Sequence, residues 1–240
     1  MAGLTVLPDA EAVARAAAER VTALTSDAIA AGSRPSVCLT GGSIARRVYE
    51  MLPTGPVDWR RVHLYWGDDR HVPPDHEDSN FKLAHDAFIS RIAIPPSNVH
   101  PIPTELSDPG EAARIYEEEV RGLTFDVMLL GLGDDGHIAS LFAGSDPLTR
   151  IDSGGLTPLV AVTQARLAPF VERITLTPPA ILDSRVILMV VSGASKADAV
   201  HAGLRAPEDV ARWPVHVLRA AADRVEWLVD EAAGSRLNEA

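Results

Sequence analysis

The feature that most restricts this chain is a recurring alternation of short, unbroken apolar runs with stretches of helical periodicity. The runs are Val37–Leu39, Val62–Trp66, Phe125–Leu130, Val160–Val162 and Val186–Val191, and they mostly lack polar alternation. Such runs fit strands buried on both faces. Between them, Ile44–Leu52, Phe81–Ile89, Glu111–Arg121 and Ser195–Leu204 read as helices. Another helix is predicted over Ala10–Ala31, where Val13, Ala17, Val21, Leu24 and Ala28 recur at steps of three and four, Asp9 offers a cap and Gly32 a stop. Strand, helix, strand in repetition implies an α/β, Rossmann-like architecture, a mostly parallel sheet flanked by helices on both faces. A single domain spanning 1–240 is expected, because the Pro-rich pieces Ile94–Pro103 and Thr177–Pro179 are too short for linkers and read as turns. For Arg224–Val229 the helical and extended readings are balanced.

The formal net charge of -11 argues against a nucleic-acid partner, which would need clustered Lys and Arg, and against an acidic membrane surface. A small anion is not excluded, because a few local cations and backbone N–H groups can make one pocket positive. The single cysteine, Cys38, lies in a strand-like run and fits a reducing compartment. Asp9 and Glu11 stand where a secretory signal would be basic and then apolar, and no apolar stretch is long enough to span a bilayer. The expectation is a cytoplasmic protein, monomer or homodimer.

In a parallel sheet, ligands sit beyond the carboxyl ends of the strands, so the residues after each apolar run carry the functional information. After Val37–Leu39 comes Thr40-Gly41-Gly42-Ser43, either a tight strand-to-helix turn or a cradle whose backbone and free helix N–H groups take a phosphate. Trp66 is followed by Gly67-Asp68-Asp69-Arg70-His71-Val72-Pro73, either a loop with a solvated ion pair or a site. In the second case Arg70 stabilises a reacting oxygen and Asp68 is an acid/base or orienting group.

Leu130 leads into Gly131-Leu132-Gly133-Asp134-Asp135-Gly136-His137. The glycines permit close approach of a substrate, and Asp135 is placed to fix the tautomer of His137 and raise its basicity. The Gly-x-Gly-x-x-Gly spacing also resembles a dinucleotide fingerprint, but it lies mid-chain, His follows its last glycine, and no acidic ribose partner stands at the right distance. Two cations complete the set: Arg173, opening Ile174-Thr175-Leu176-Thr177, and Lys196, at a helix start where a cation opposes the dipole. Lys196 either reaches into water or answers a nearby anion. His71, His76 and His85 lack metal-ligand spacing and no Gly-x-Ser-x-Gly elbow is present, so neither a metal nor a serine nucleophile is expected.

Taken in order, Leu39–Ser43, Trp66–Pro73 continuing to Ser79-Asn80-Phe81, Gly131–Phe142, Arg173–Thr177 and Ser192-Gly193 with Lys196 resemble the 6-phosphogluconolactonase family, whose relatives include glucosamine-6-phosphate isomerase/deaminase. The resemblance spans nearly the whole chain. It implies hydrolysis of 6-phospho-D-glucono-1,5-lactone in the oxidative pentose phosphate pathway, with a sugar-phosphate lactone as partner and no cofactor. It further implies His137, supported by Asp135, as general base, with Arg70 and Asp68 beside it. Gly41, Gly42, Ser43, Arg173 and Lys196 would hold the phosphate. Three segments depart from the family pattern. Ser43-Ile44-Ala45 replaces Ser-Thr-Pro, Asp69 replaces a Glu, and Ala143 stands where proline is common. The deaminase relatives carry a Glu where this chain has Phe142, which favours the lactonase over the deaminase. A non-catalytic sugar-phosphate sensor is a further alternative, disfavoured by the complete His137, Asp135 and Arg70 set.

Overall fold

The computed structural model describes residues 3–149, 158–165 and 168–238. The elements that position the site are β1 (Gly3–Leu7), α1 (Ala10–Ala30), β2 (Ser36–Leu39), α2 (Ser43–Met51), β3 (His63–Trp66), β4 (Asp68–Arg70), α3 (Asn80–Ala87), α4 (Pro109–Val120), β5 (Val127–Leu130), α5 (Asp146–Thr149), β6 (Val160–Thr163), β7 (Arg173–Leu176), α6 (Pro178–Leu182), β8 (Ile187–Val191), α7 (Ala197–Arg205) and β9 (Val225–Asp230).

Six strands form a sheet in the order β1-β9-β8-β5-β2-β3, and every pairing in it is parallel. β2, β5 and β8 are buried along their whole length, which explains their unbroken apolar sequences. Successive residues of β9 show that helices cover both faces. Glu226 pairs with Arg20 of α1 at 2.6 Å, whereas the Trp227 ring packs against Gly203 of α7, and neighbouring residues of a strand point to opposite faces. The asserted α/β architecture therefore holds, with two additions. β9, undecided in the sequence, lies inside the sheet between β1 and β8, and β1, which no apolar run announced, forms its exposed edge. The Thr177–Pro179 turn also opens a short helix, α6, with Pro at its first positions as proline prefers.

Val160–Val162 requires a correction. It was expected to be a strand buried on both faces, but it belongs to a second, antiparallel sheet of order β4-β7-β6 and is only partly buried in its middle. One residue, Gly67, joins β3 of the large sheet to β4 of the small one. Its N–H donates to the Leu39 carbonyl at 2.8 Å, and its own carbonyl accepts from Leu176 N–H at 2.8 Å. The two sheets thus meet at a point fixed by hydrogen bonds on either side.

The topology also locates the cleft. From β2 the chain passes outward to β3, then returns to the other side of β2 to lay down β5, β8 and β9. The strand order reverses between β2 and β5, the kind of crevice where open α/β sheets bind ligands.

Candidate active site

The loops after β2, β5 and β8 converge because those three strands are adjacent in the sheet. With β4 they line a cleft of about 240 Å³, whose walls include Gly41, Gly42, Ser43, Asp68, Arg70, His137 and Lys196.

The β2 loop is held from within. Tyr49 of α2 accepts the Thr40 N–H at 2.8 Å and donates its hydroxyl to the Thr40 carbonyl at 2.7 Å. Burial pushes the Tyr49 phenol well above its ordinary range, so it remains a neutral donor. A side chain at Gly41 would meet the Asn80 carboxamide at 2.1 Å, so this backbone can pass only as glycine. α2 then begins at Ser43 with no side chain capping its first turn, and its free N–H groups remain available to an anion.

β4 sorts its three charged residues by strand alternation. Asp68 and Arg70 face the cleft. Asp68 is buried, accepting the Ser140 hydroxyl at 2.6 Å and the Asn80 amide at 3.4 Å. Arg70 is fixed by donation to the Asp78 carbonyl at 2.5 Å. Asp69 points the other way, into the start of α3, where it accepts N–H groups of Arg70 and Asn80 at 2.7 Å, Phe81 at 2.9 Å and the Ser79 hydroxyl at 3.2 Å. Burial pushes its carboxyl up to about 6, against these N–H donors that pull it down. The Asp at this position therefore anchors a helix, a role its short side chain fills and one that the departure from Glu did not reveal.

The β5 loop carries the imidazole. His137 Nδ1 lies 2.6 Å from an Asp135 carboxylate oxygen. A carboxylate only accepts, so Nδ1 bears the hydrogen and Nε2 the lone pair. Burial pushes the Asp135 carboxyl up, but the hydrogen bond from the His137 ring, its attraction whenever that ring is protonated, and backbone N–H donors outweigh it and hold it below the usual range. Gly133 permits this pair: a side chain there would lie 2.0 Å from Nδ1 and 2.6 Å from the Asp135 oxygen. Beyond His137, Ala139 adopts a left-handed backbone with φ 46°, an uncommon conformation for a residue with a side chain. Ser140 is tied to the small sheet by Thr175 at 3.2 Å and Thr163 at 3.1 Å.

The structure places the two remaining cations differently. Arg173 is not among the residues lining the cleft. It pairs across the ladder with Arg70, is almost fully buried and donates to the Pro169 carbonyl at 2.9 Å. Burial and the like charge of Arg70 lower its affinity for its proton, with Asp68, Asp69 and Asp78 opposing. Lys196 does line the cleft, and the anion beside it is internal, the Asp134 carboxylate. Asn80, which lines the cleft, and Ser140, which holds Asp68, were not singled out in the sequence, although both lie inside the quoted motifs. Their signal is purely three-dimensional, since their partner Asp68 is distant in sequence from Ser140. His71 is engaged by the distant Leu106 carbonyl and His76 and His85 by the neighbouring Asp78 and Asp86, and among the described residues no group of three or more ligand-type side chains is arranged to hold a metal.

The sequence profile of the family described as “Glucosamine-6-phosphate isomerases/6-phosphogluconolactonase” matches residues 8–227. The chain belongs to this family. Within it, the chain is 36% identical over 227 residues to 6-phosphogluconolactonase from Synechocystis sp., with 90% of each chain covered. A solved structure of 6-phosphogluconolactonase from Trypanosoma brucei matches with a TM-score of 0.86 at 26% identity, over 99% of both chains. A monomeric glucosamine-6-phosphate deaminase also reaches 0.86, at 21% identity and covering 98% of this chain and 100% of its own. At that identity the likeness concerns the fold alone. The family's description names two chemistries, and the side chains in the cleft must separate them.

Proposed function

We infer that this chain hydrolyses 6-phospho-D-glucono-1,5-lactone to 6-phospho-D-gluconate, with His137 as general base. The observation that carries the choice of reaction is the neighbour of the imidazole. The ring of Phe142 packs 4.8 Å from that of His137, at the position where the deaminase relatives carry a glutamate. An aromatic ring cannot move the extra proton that opening and isomerising an amino sugar require. It leaves one imidazole, which is sufficient for lactone hydrolysis.

The steps follow from the groups present. The Nε2 lone pair of His137 takes a proton from a water as its oxygen attacks the lactone carbonyl carbon. The Arg70 guanidinium, held by the Asp78 carbonyl, stabilises the oxyanion that forms, and buried Asp68 places a negative charge on the same wall. The bond between the carbonyl carbon and the ring oxygen then breaks, and His137 returns its proton to that oxygen. Water and lactone together give the hydroxy acid. The Gly41-Gly42 backbone, Ser43, the first N–H groups of α2 and Lys196 bind the phosphate, so the charged end of the substrate positions the reacting end. Arg173 contributes from behind Arg70 to the positive potential of this wall. Both sheets serve one cleft, which supports a single functional domain. The buried, unpaired Cys38 supports a cytoplasmic setting.

The direct test supplies freshly prepared δ-lactone to purified protein and follows acid release above the spontaneous background. Catalysed release is expected, and its absence would overturn the assignment. Ammonia release from glucosamine 6-phosphate would instead favour the deaminase reading.

A further inference from the structure

Lys196 lines the same cleft as Gly41, Gly42 and Ser43, but its ammonium is already engaged by the Asp134 carboxylate. The Ser195 hydroxyl donates to the same carboxylate oxygen at 3.3 Å. Asp134 has no part in the reaction described above and does not line the cleft. It is nonetheless firmly placed, on the turn closed by the Gly133 N–H to the His137 carbonyl at 2.8 Å and the Gly136 N–H to the Gly133 carbonyl at 3.0 Å. Its side chain is 60% exposed, against 27% for Lys196, so the pair sits where an arriving ligand first meets the protein.

We propose that Asp134 is a specificity-determining residue, an internal competitor that occupies Lys196 in the free enzyme and gives it up to the substrate's phosphate. This rests on the placement of the phosphate at the Gly41–Ser43 end. The chemistry favours exchange: a carboxylate brings one negative charge, whereas a phosphate monoester brings about −1.5 to −2 and three acceptor oxygens. A singly charged sugar acid offers Lys196 no more than Asp134 already does, so it gains little by displacing it. The carboxylate thereby keeps the lysine in a defined place and sets a threshold that favours phosphorylated ligands.

Calorimetry with 6-phosphogluconate at fixed ionic strength tests this in a double-mutant cycle. Asp134→Asn retains size and an acceptor for Ser195 but removes the charge. It is expected to tighten the Kd about two- to fivefold, the range of an exposed ion pair. Lys196→Ala is expected to weaken binding, and adding Asp134→Asn to it should then change little, because the competition runs through the ammonium. An unchanged or weaker Kd for Asp134→Asn overturns the proposal. So does equal tightening in the Lys196→Ala background, which signifies diffuse charge repulsion. If Lys196→Ala binds like the wild type, the phosphate placement itself is wrong and the proposal falls with it. If Lys196→Ala weakens binding while Asp134→Asn has no effect, the placement stands and the role of Asp134 alone is lost.

Discussion

The two sheets contribute to the cleft in different ways. The parallel sheet ends in loops that offer backbone: glycines, uncapped N–H groups and one lysine at the rim. The antiparallel sheet offers side-chain charge, Asp68 and Arg70, each locked by partners before any ligand arrives. Backbone donors suit an anion that must be recognised but not changed. Immobilised charges suit an oxygen whose charge changes during reaction, because they need no reorganisation at that moment. The β5 loop joins the two, since it starts from the parallel sheet, carries His137 and is stitched at Ser140 to the antiparallel one.

This division can be broken most severely at His137. His137→Ala should lower kcat by about 10²–10⁴-fold, as loss of a general base does, while 6-phosphogluconate binding measured by calorimetry persists. Loss of binding along with turnover would mean that the two ends of the cleft are not separable. Gly133→Ala tests the join itself. The added carbon displaces the His137–Asp135 pair, and kcat should fall about 10²-fold with the thermal midpoint nearly unchanged, since small misplacements at a reacting centre have effects of that size. At the recognition end, Lys196→Ala should raise KM about tenfold and affect kcat less, which steady-state kinetics resolves. A loss confined to kcat would move Lys196 into the chemical half.

Asp69 sharpens the comparison from the stability side. Asp69→Asn weakens the acceptor for buried N–H groups at the start of α3 and should destabilise the fold by about 1–3 kcal/mol in denaturant unfolding. Its pH dependence has a definite sign. With the folded carboxyl raised to about 6, its contribution is fully present below the unfolded carboxylate range and is lost as pH rises through about 6. Asp69→Asn should flatten that segment of the stability profile, and an unaltered slope would assign it to other groups.

Much of this arrangement was legible in the sequence, for identifiable reasons. β2, β5 and β8 are apolar because they lie inside the large sheet, and β3, although its outer strand, is buried beyond His63 and bridged at Leu64 by Val99; the polar residues just beyond β2, β5 and β8 mark the cleft. β4 was not legible as a strand, because Asp-Asp-Arg has no strand propensity and is held extended by pairing with β7. β9 stayed ambiguous because Glu226 interrupts its apolar run, a charge accounted for only by the distant Arg20. The same limit applies within the site. The adjacency of Asp135 and His137 is local and visible in the sequence, while the meeting of Asp134 with Lys196, or of Ser140 with Asp68, exists only after folding.

The single-residue junction at Gly67 makes the site sensitive to counting. Strand alternation decides that Asp68 and Arg70 look into the cleft while Asp69 anchors α3, and the junction has no slack to absorb an extra residue. Inserting one residue between Trp66 and Asp68 would leave the composition of the site almost intact. It would turn the helix anchor toward the substrate and the cleft-facing pair toward the core. Along this edge of the cleft, chemistry is written in the parity of the chain as much as in the identity of its residues.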